Sequence, residues 1–256
     1  MSKPPLLSLI IPVYNEAQHL QEFLVMIDNF SLPNAAVEYI FVDDKSSDDS
    51  LAILQAYDFK KPTKILTHPK NIGKGGCILT ALKHCKGDVI GVQDCDFEYR
   101  IEEIATLIAP IVAGKIDVSF GSRFHPNNSQ VHNNFHYLKN KAITILSNLC
   151  SNMRLTDASC GYKFYHSATL KKLHLTSKRF SIDTELVAKT ARLTDVRVRE
   201  YPISYRPRTH AQGKKITWRD GVAVSFWIIF YNLLLPSSKF FNSNQQSRPS
   251  NYRLTH

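Results

Sequence analysis

Asp94-Cys95-Asp96, with Glu98 two positions further on, is the stretch of this chain best suited to chemistry. Acidic side chains at alternating positions of an extended segment point to one side, where they repel unless a cation or a water-filled cleft lies between them. Oxygen-only ligands of this kind suit Mg2+ or Mn2+, ions that keep waters and bridge to substrate phosphates. Acidic strand ends also occur without a metal, so the motif takes its meaning from its surroundings. A second chemical group lies downstream, where Arg197, Arg199, Arg206, Arg208, Lys214, Lys215 and Arg219 follow with few acids between them. Guanidinium forks match phosphate oxygens, which makes Arg123, Arg206 and Arg208 candidates for holding phosphate. A solvated basic face is the plain alternative.

These groups need elements to position them. Residues 88–93 form a compact apolar run after a Gly-Asp turn, of strand length and without helical period, so the acids sit where a strand ends. Residues 6–13 are almost continuously apolar, as in a strand buried on both faces. A helix is expected over 17–30, where Leu20, Phe23, Leu24 and Ile27 recur at helical spacing, then a strand over 37–42 that ends at Asp43-Asp44. Ser46 to Ser50 is rich in capping residues and precedes a helix over 50–57. A strand over 64–67, a helix over 101–113 and a strand over 116–121 continue the alternation. It predicts an α/β fold, a doubly wound and mostly parallel sheet flanked by helices, with ligands beyond the carboxyl ends of the strands.

The loop Asn71 to Gly76 enters an amphipathic helix through Ile78, Leu79, Ala81 and Leu82. Its glycines either let the backbone approach a phosphate at the helix N-terminus or simply make the turn. It is not a Walker A loop, because the spacing differs and no Ser or Thr follows Lys74. A helix over 133–153 either packs on the sheet or meets a lipid surface. A strand is expected over 201–205, and an aromatic, apolar helix over 218–231 with Lys214, Lys215 and Arg219 beside it. That pairing fits the headgroup boundary of an anionic leaflet, although a core helix explains the apolarity equally well.

The formal net charge of the 256 residues is +10, which favours anionic partners. Five cysteines form no paired framework, and the N-terminus lacks an export signal, so a reduced, cytoplasmic setting is expected. The apolar stretch 221–235 would reach roughly 22 Å as a helix, short of the roughly 30 Å hydrocarbon core. Membrane attachment is therefore expected to be peripheral, on the cytoplasmic face, or through a membrane-protein partner.

Pro12-Val13-Tyr14-Asn15-Glu16, Val42-Asp43-Asp44, Asn71-Ile72-Gly73-Lys74-Gly75, Gln93-Asp94-Cys95-Asp96-Phe97-Glu98 and Gly121-Ser122-Arg123 occur in an order and spacing that resembles glycosyltransferase family 2. Within it the chain most resembles the dolichyl- or polyprenyl-phosphate sugar synthases, over about residues 6–231. Cys95 departs from the alanine often found there, at a position that neighbours the ligands. The resemblance implies a GT-A fold, inverting chemistry, a GDP- or UDP-hexose donor and a polyprenyl phosphate acceptor. Residues 1–220 would be the GT-A domain, with 1–125 its nucleotide-sugar half and 126–220 its acceptor half. Residues 221–236 would be an amphipathic interfacial helix and 237–256 a disordered tail. Pro12, Tyr14, Glu16 and Asp43 would line base and ribose, and Lys74, Gly75, Asp94 and Lys215 would complete the donor site. Asp94, Asp96 and Glu98 would hold the metal, and Arg123, Arg206 and Arg208 the acceptor phosphate. Residues 156–164 resemble the acceptor-side loop. In the catalytic group of Asp96, Arg123, Arg208, Asp183 and Glu185, the last two would be a general base for a hydroxyl acceptor. For a lipid phosphate they would instead orient the donor sugar or hold Lys163 and the arginines. A nucleic-acid-binding module is the reading from another class, and no nucleic-acid motif accompanies the charge. A catalytically dead scaffold is opposed by the intact acidic triad.

Overall fold

The computed structural model describes residues 4–128, 134–207 and 218–242. Its central strand is Leu6–Val13 (β1), apolar at almost every position and largely buried on both faces, as a middle strand of a parallel sheet must be. It pairs in parallel with Ala36–Asp43 (β2) on one side and Val89–Val92 (β4) on the other, and Thr63–Thr67 (β3) lies beyond β2. The sheet continues through Lys163–His166 (β6), Val118–Ser122 (β5) and Val198–Pro202 (β7), giving the order β3-β2-β1-β4-β6-β5-β7 among the described residues. β6 runs antiparallel to both of its neighbours, and β7 is parallel to β5.

The two-residue period of β1 sorts the helices into two layers. Leu7, Leu9 and Ile11 pack with Leu20, Phe23, Leu24 and Ile27 of Ala17–Asn29 (α1) and with Leu107, Ile108 and Ile111 of Ile104–Val112 (α4). Ile10 faces the other way, with Cys77, Ile78 and Ala81 of Lys74–Leu82 (α3) and Leu186 and Val187 of Ile182–Thr190 (α7). Ser50–Ala56 (α2), Asn134–Ser151 (α5), Ser167–Leu170 (α6) and Trp218–Ile229 (α8) complete the helices. No helix among the described residues is long and apolar enough to cross a membrane.

Four expectations are corrected by the fold. The segment 163–166, read as part of a loop, is a strand; its Lys163 hid the pattern because the ammonium folds back onto the carbonyls of Ala158 and Cys160. The last strand is Val198–Pro202, ending three residues short of Tyr205, and its charged Arg199 and Glu200 suit an edge strand. The Ser46 to Ser50 cluster serves α1 as well as α2. Ser46 Oγ accepts from Asn15 N, Ser50 Oγ from Glu16 N and Asp48 Oδ2 from Ala17 N, while Asp48 Oδ1 accepts from Ser50 N. The stretch 237–242 is no loose tail. Phe240 is buried under the Arg192 guanidinium, Leu173 bridges to Phe241, and Asn242 N donates to Lys172 O. Residues 243–256 lie outside the described residues.

Candidate active site

Because β1, β2 and β4 are parallel and in register (Val13 opposite Asp43, Ile10 opposite Val92), their carboxyl ends share one edge. Pro12 is the penultimate residue of β1, Tyr14 and Glu16 follow it, Asp43 ends β2, and Asp94 to Glu98 follow β4. Asn15 and Lys45 make the two exits with positive φ, 52° and 61°. Asp43 is buried; its Oδ2 accepts from Ser46 N at 3.2 Å, whereas its Oδ1 has no hydrogen-bond partner. A buried acceptor left this way is costly unless a ligand donates to it.

The acidic motif bends after β4 and does not run on as an extended strand. Cys95 is buried, while Asp94, Asp96 and Glu98 are half-buried. Asp96 Oδ1 accepts from Glu98 N at 3.0 Å, which shapes the bend. Lys74, expected at the donor site, pairs with the acids themselves, which the sequence reading did not foresee. Its Nζ lies 2.8 Å from Asp94 Oδ1, 3.0 Å from Asp94 Oδ2 and 3.5 Å from Asp183 Oδ2. Burial alone would depress the Lys74 pKa, but Asp183, Asp94 and Asp96 together outweigh it and hold the ammonium charged well above its usual range. Lys163, also buried, stands 3.8 Å from Asp183 Oδ1 on the other side. Asp183 is thus shared by two ammonium groups. The ammonium is a stand-in cation, and by that measure the oxygens of Asp94 and Asp96 suit a hard divalent ion.

Lys74 is aimed by the loop before α3. Asp44 accepts from Ile72 N and Gly73 N at 2.9 and 2.7 Å, and from His68 Nδ1 at 2.8 Å, while His68 Nε2 meets Thr80 Oγ1 at 2.9 Å. Asp44, His68 and Cys77 are the one trio of metal-type side chains within 4.8 Å of one another among the described residues. Asp44 and His68 serve as a hydrogen-bonded brace, and burial, with Asp44 and Asp43 nearby, raises the Cys77 thiol far from its ionised form. Gly76 N donates to Lys178 O at 2.8 Å. Of the two readings of this loop, a phosphate seat or a turn, the structure shows the turn, with the backbone amides before and within the first turn of α3 taken by Asp44 and a carbonyl. Gly75 exists for close approach of protein: a Cβ there would lie 2.2 Å from Ser177 O.

Glu185, Arg123 and Arg206 find other partners. Glu185 is fully buried, 2.7 Å from the equally buried Lys189, and accepts from Thr176 N, Thr176 Oγ1 and Ser177 N. In the structure it braces the segment that backs Gly75. Arg123, expected to hold a phosphate, places Nε 2.6 Å and Nη2 2.9 Å from the oxygens of buried Asp157. Burial opposes both charges; mutual attraction wins, holding Asp157 below the usual carboxylate range and Arg123 above its own. The Arg123 guanidinium also lies 5.0 Å over the Tyr205 ring, whose hydroxyl is pushed up to about 12 by burial and by Glu98. Arg206 is exposed, and its N donates to Glu98 O at 2.9 Å, which tethers the basic segment to the acidic bend. Arg208 and Lys215 lie outside the described residues. Asp157, Asp44 and His68 were missed as site-builders, whereas Lys163 was expected to be held by Asp183, as it is. A lysine between Tyr162 and Phe164 is the one sequence signal that pointed to a buried cation.

The family model described as glycosyl transferase family 2 matches residues 8–173. The dolichol-phosphate mannosyltransferase of Pyrococcus furiosus is 36% identical over 117 residues, covering 46% of this chain and 33% of that protein. The dolichyl-phosphate beta-glucosyltransferase of Trichomonas vaginalis is 26% identical over 211 residues, covering 77% of this chain and 62% of that protein. The chain thus spans between a third and two thirds of these relatives. Among solved structures, glucosyl-3-phosphoglycerate synthase from Mycobacterium tuberculosis, crystallised with Mn2+, UDP and glucosyl-3-phosphoglycerate, superposes with a TM-score of 0.67 at 16% identity. That likeness covers 91% of this chain and 82% of the other, and it shows a shared fold.

Proposed function

The chain belongs to glycosyltransferase family 2, and on that footing we propose that it transfers a hexose from a nucleotide sugar to a polyprenyl phosphate, with inversion. The observation that carries this reading is the seat for positive charge at the end of β4, where Asp94 and Asp183 hold an ammonium in the field of Asp96. Asp94 and Asp96, with Glu98 beside them, would hold Mg2+ or Mn2+, which when bound offsets the charge that develops on a departing diphosphate. Asp43 Oδ1, buried and without a donor, suits an N–H or O–H of the nucleoside. Tyr14, half-exposed at the same edge, offers a ring face beside it.

The lipid-phosphate acceptor is supported by the placement of the two carboxylates expected as bases among the described residues. Asp183 lies between two ammonium groups and Glu185 is walled into the core, so neither presents a carboxylate poised to deprotonate a hydroxyl. A phosphate oxygen is already anionic near neutral pH and needs no base. Arg206, exposed and hydrogen-bonded through its N–H to Glu98, would meet it.

A lipid acceptor also accounts for the outer surface. Leu138, Ile145 and Leu149 on α5, Val222 and Phe226 on α8, and Leu233 and Leu234 just beyond are exposed apolar side chains. α5 and α8 pack on each other and on α7, whose first turn carries Asp183. With a net charge of +10, this platform fits the interface of an anionic leaflet, and five unpaired cysteines accord with its cytoplasmic face. The test is to incubate the protein with Mn2+, GDP- and UDP-hexoses and a short polyprenyl phosphate, then weigh the lipid by mass spectrometry. A lipid heavier by one hexosyl unit is expected; transfer only to glycan hydroxyls would overturn the acceptor assignment.

A further inference from the structure

Both oxygens of Asp94 already carry a cation, because Lys74 Nζ contacts each of them. A divalent ion that binds through Asp94 must therefore contend with an ammonium at the same carboxylate. The backbone on either side of Lys74 cannot retreat with it, since Gly73 N is held by Asp44 and Gly76 N by Lys178 O. Asp94 is backed by Gly161, where even a Cβ would come within 2.9 Å of Oδ2. The lysine stem is flexible and its charge is a point, so a change of partner needs only the side chain. Asp183 offers that partner: its Oδ2 is 3.5 Å from Nζ, just beyond hydrogen-bond length. Lys163, pinned to the carbonyls of Ala158 and Cys160, holds the opposite oxygen of Asp183 and keeps it in place.

We propose that Lys74 is a displaceable cation: Mg2+ or Mn2+ entering at Asp94 and Asp96 expels the ammonium from Asp94 to Asp183, and metal affinity is set by that exchange. Asp183 is then a positioning residue that acts on the metal through Lys74. The inference rests on the metal reading of the site.

The experiment measures Mn2+ binding to the full chain, without nucleotide, by the paramagnetic resonance of free Mn2+. It compares wild type, Lys74→Gln, Asp183→Asn and the double variant. Lys74→Gln is expected to bind roughly tenfold tighter, the scale of one charge-assisted contact. Asp183→Asn is expected to bind several-fold more weakly, and that penalty shrinks in the Lys74→Gln background because no ammonium then needs a second seat. A lysine that merely repels the ion gives the same Asp183→Asn penalty in both backgrounds, and that result overturns the exchange while leaving the metal reading intact. Wild-type protein that binds no Mn2+, with or without UDP, overturns the metal reading itself. Should Lys74→Gln not fold, Mg2+ titration of lysine-labelled wild type and Asp183→Asn replaces it. The side-chain nitrogen resonance that moves in wild type is expected to stay still in Asp183→Asn; equal movement in both, or none in wild type, overturns the proposal.

Discussion

At the scale of single residues, carboxylates of one chemical type do three different jobs because their surroundings differ. Asp96 is half-buried and its field reaches Lys74, so its charge serves the cation seat. Asp96→Asn keeps an acceptor for Glu98 N but removes that charge; we expect transfer to fall by two or more orders of magnitude with an unchanged unfolding midpoint, and undiminished turnover would sink the metal assignment. Glu185 is fully buried against Lys189, and removing one member of such a pair strands the other. Glu185→Ala should therefore cost about 3–5 kcal/mol in urea unfolding of the ligand-free protein. Lost turnover with intact stability would restore it as a catalytic group. Asp157 is held below its unfolded pKa of about 3.9 by Arg123, so the stabilisation is fully present above that value. It is lost as the pH falls through the lower folded value. Asp157→Asn should be less stable at neutral pH and lose less on acidification than wild type, read by thermal melts across that range. The sequence displayed all three carboxylates but only one of their roles, because Asp157 and Glu185 are matched to Arg123 and Lys189 by burial.

At the scale of elements, the segment between β6 and α7 seats α3, and α3 aims Lys74. Ser177 O and Lys178 O lie against Gly75 and Gly76 so closely that no side chain fits at Gly75. Gly75→Ala should cost about 1–3 kcal/mol or more by overpacking and should weaken Mn2+ binding along with stability. A variant as stable as wild type would show that the two backbones can part. The glycines of this loop were legible as a special backbone, and their partner was not. Phosphate and protein carbonyl call for the same residue type, and the deciding contact spans about a hundred positions of sequence.

At the scale of the whole molecule, β1 with its neighbours places Tyr14, Glu16, Asp43 and Asp94 at one edge, while α5 and α8 raise an apolar platform through α7. Leu149→Asp together with Phe226→Asp should reduce cosedimentation with anionic phospholipid vesicles at least tenfold and leave the fold intact, since both side chains are 78% and 54% exposed. Equal binding by wild type and variant would move the membrane contact elsewhere. The α/β alternation and the carboxyl ends of β1, β2 and β4 were determined by sequence alone, because burial period and turn chemistry are local properties, whereas the bend of the acidic motif was not. Tertiary structure alone decided that Lys74 sits on Asp94, that Arg123 closes on Asp157 and that α3 is capped by Lys178. Each of those joins residues distant in the chain, and an ionic partner is chosen by which charges folding leaves together away from water.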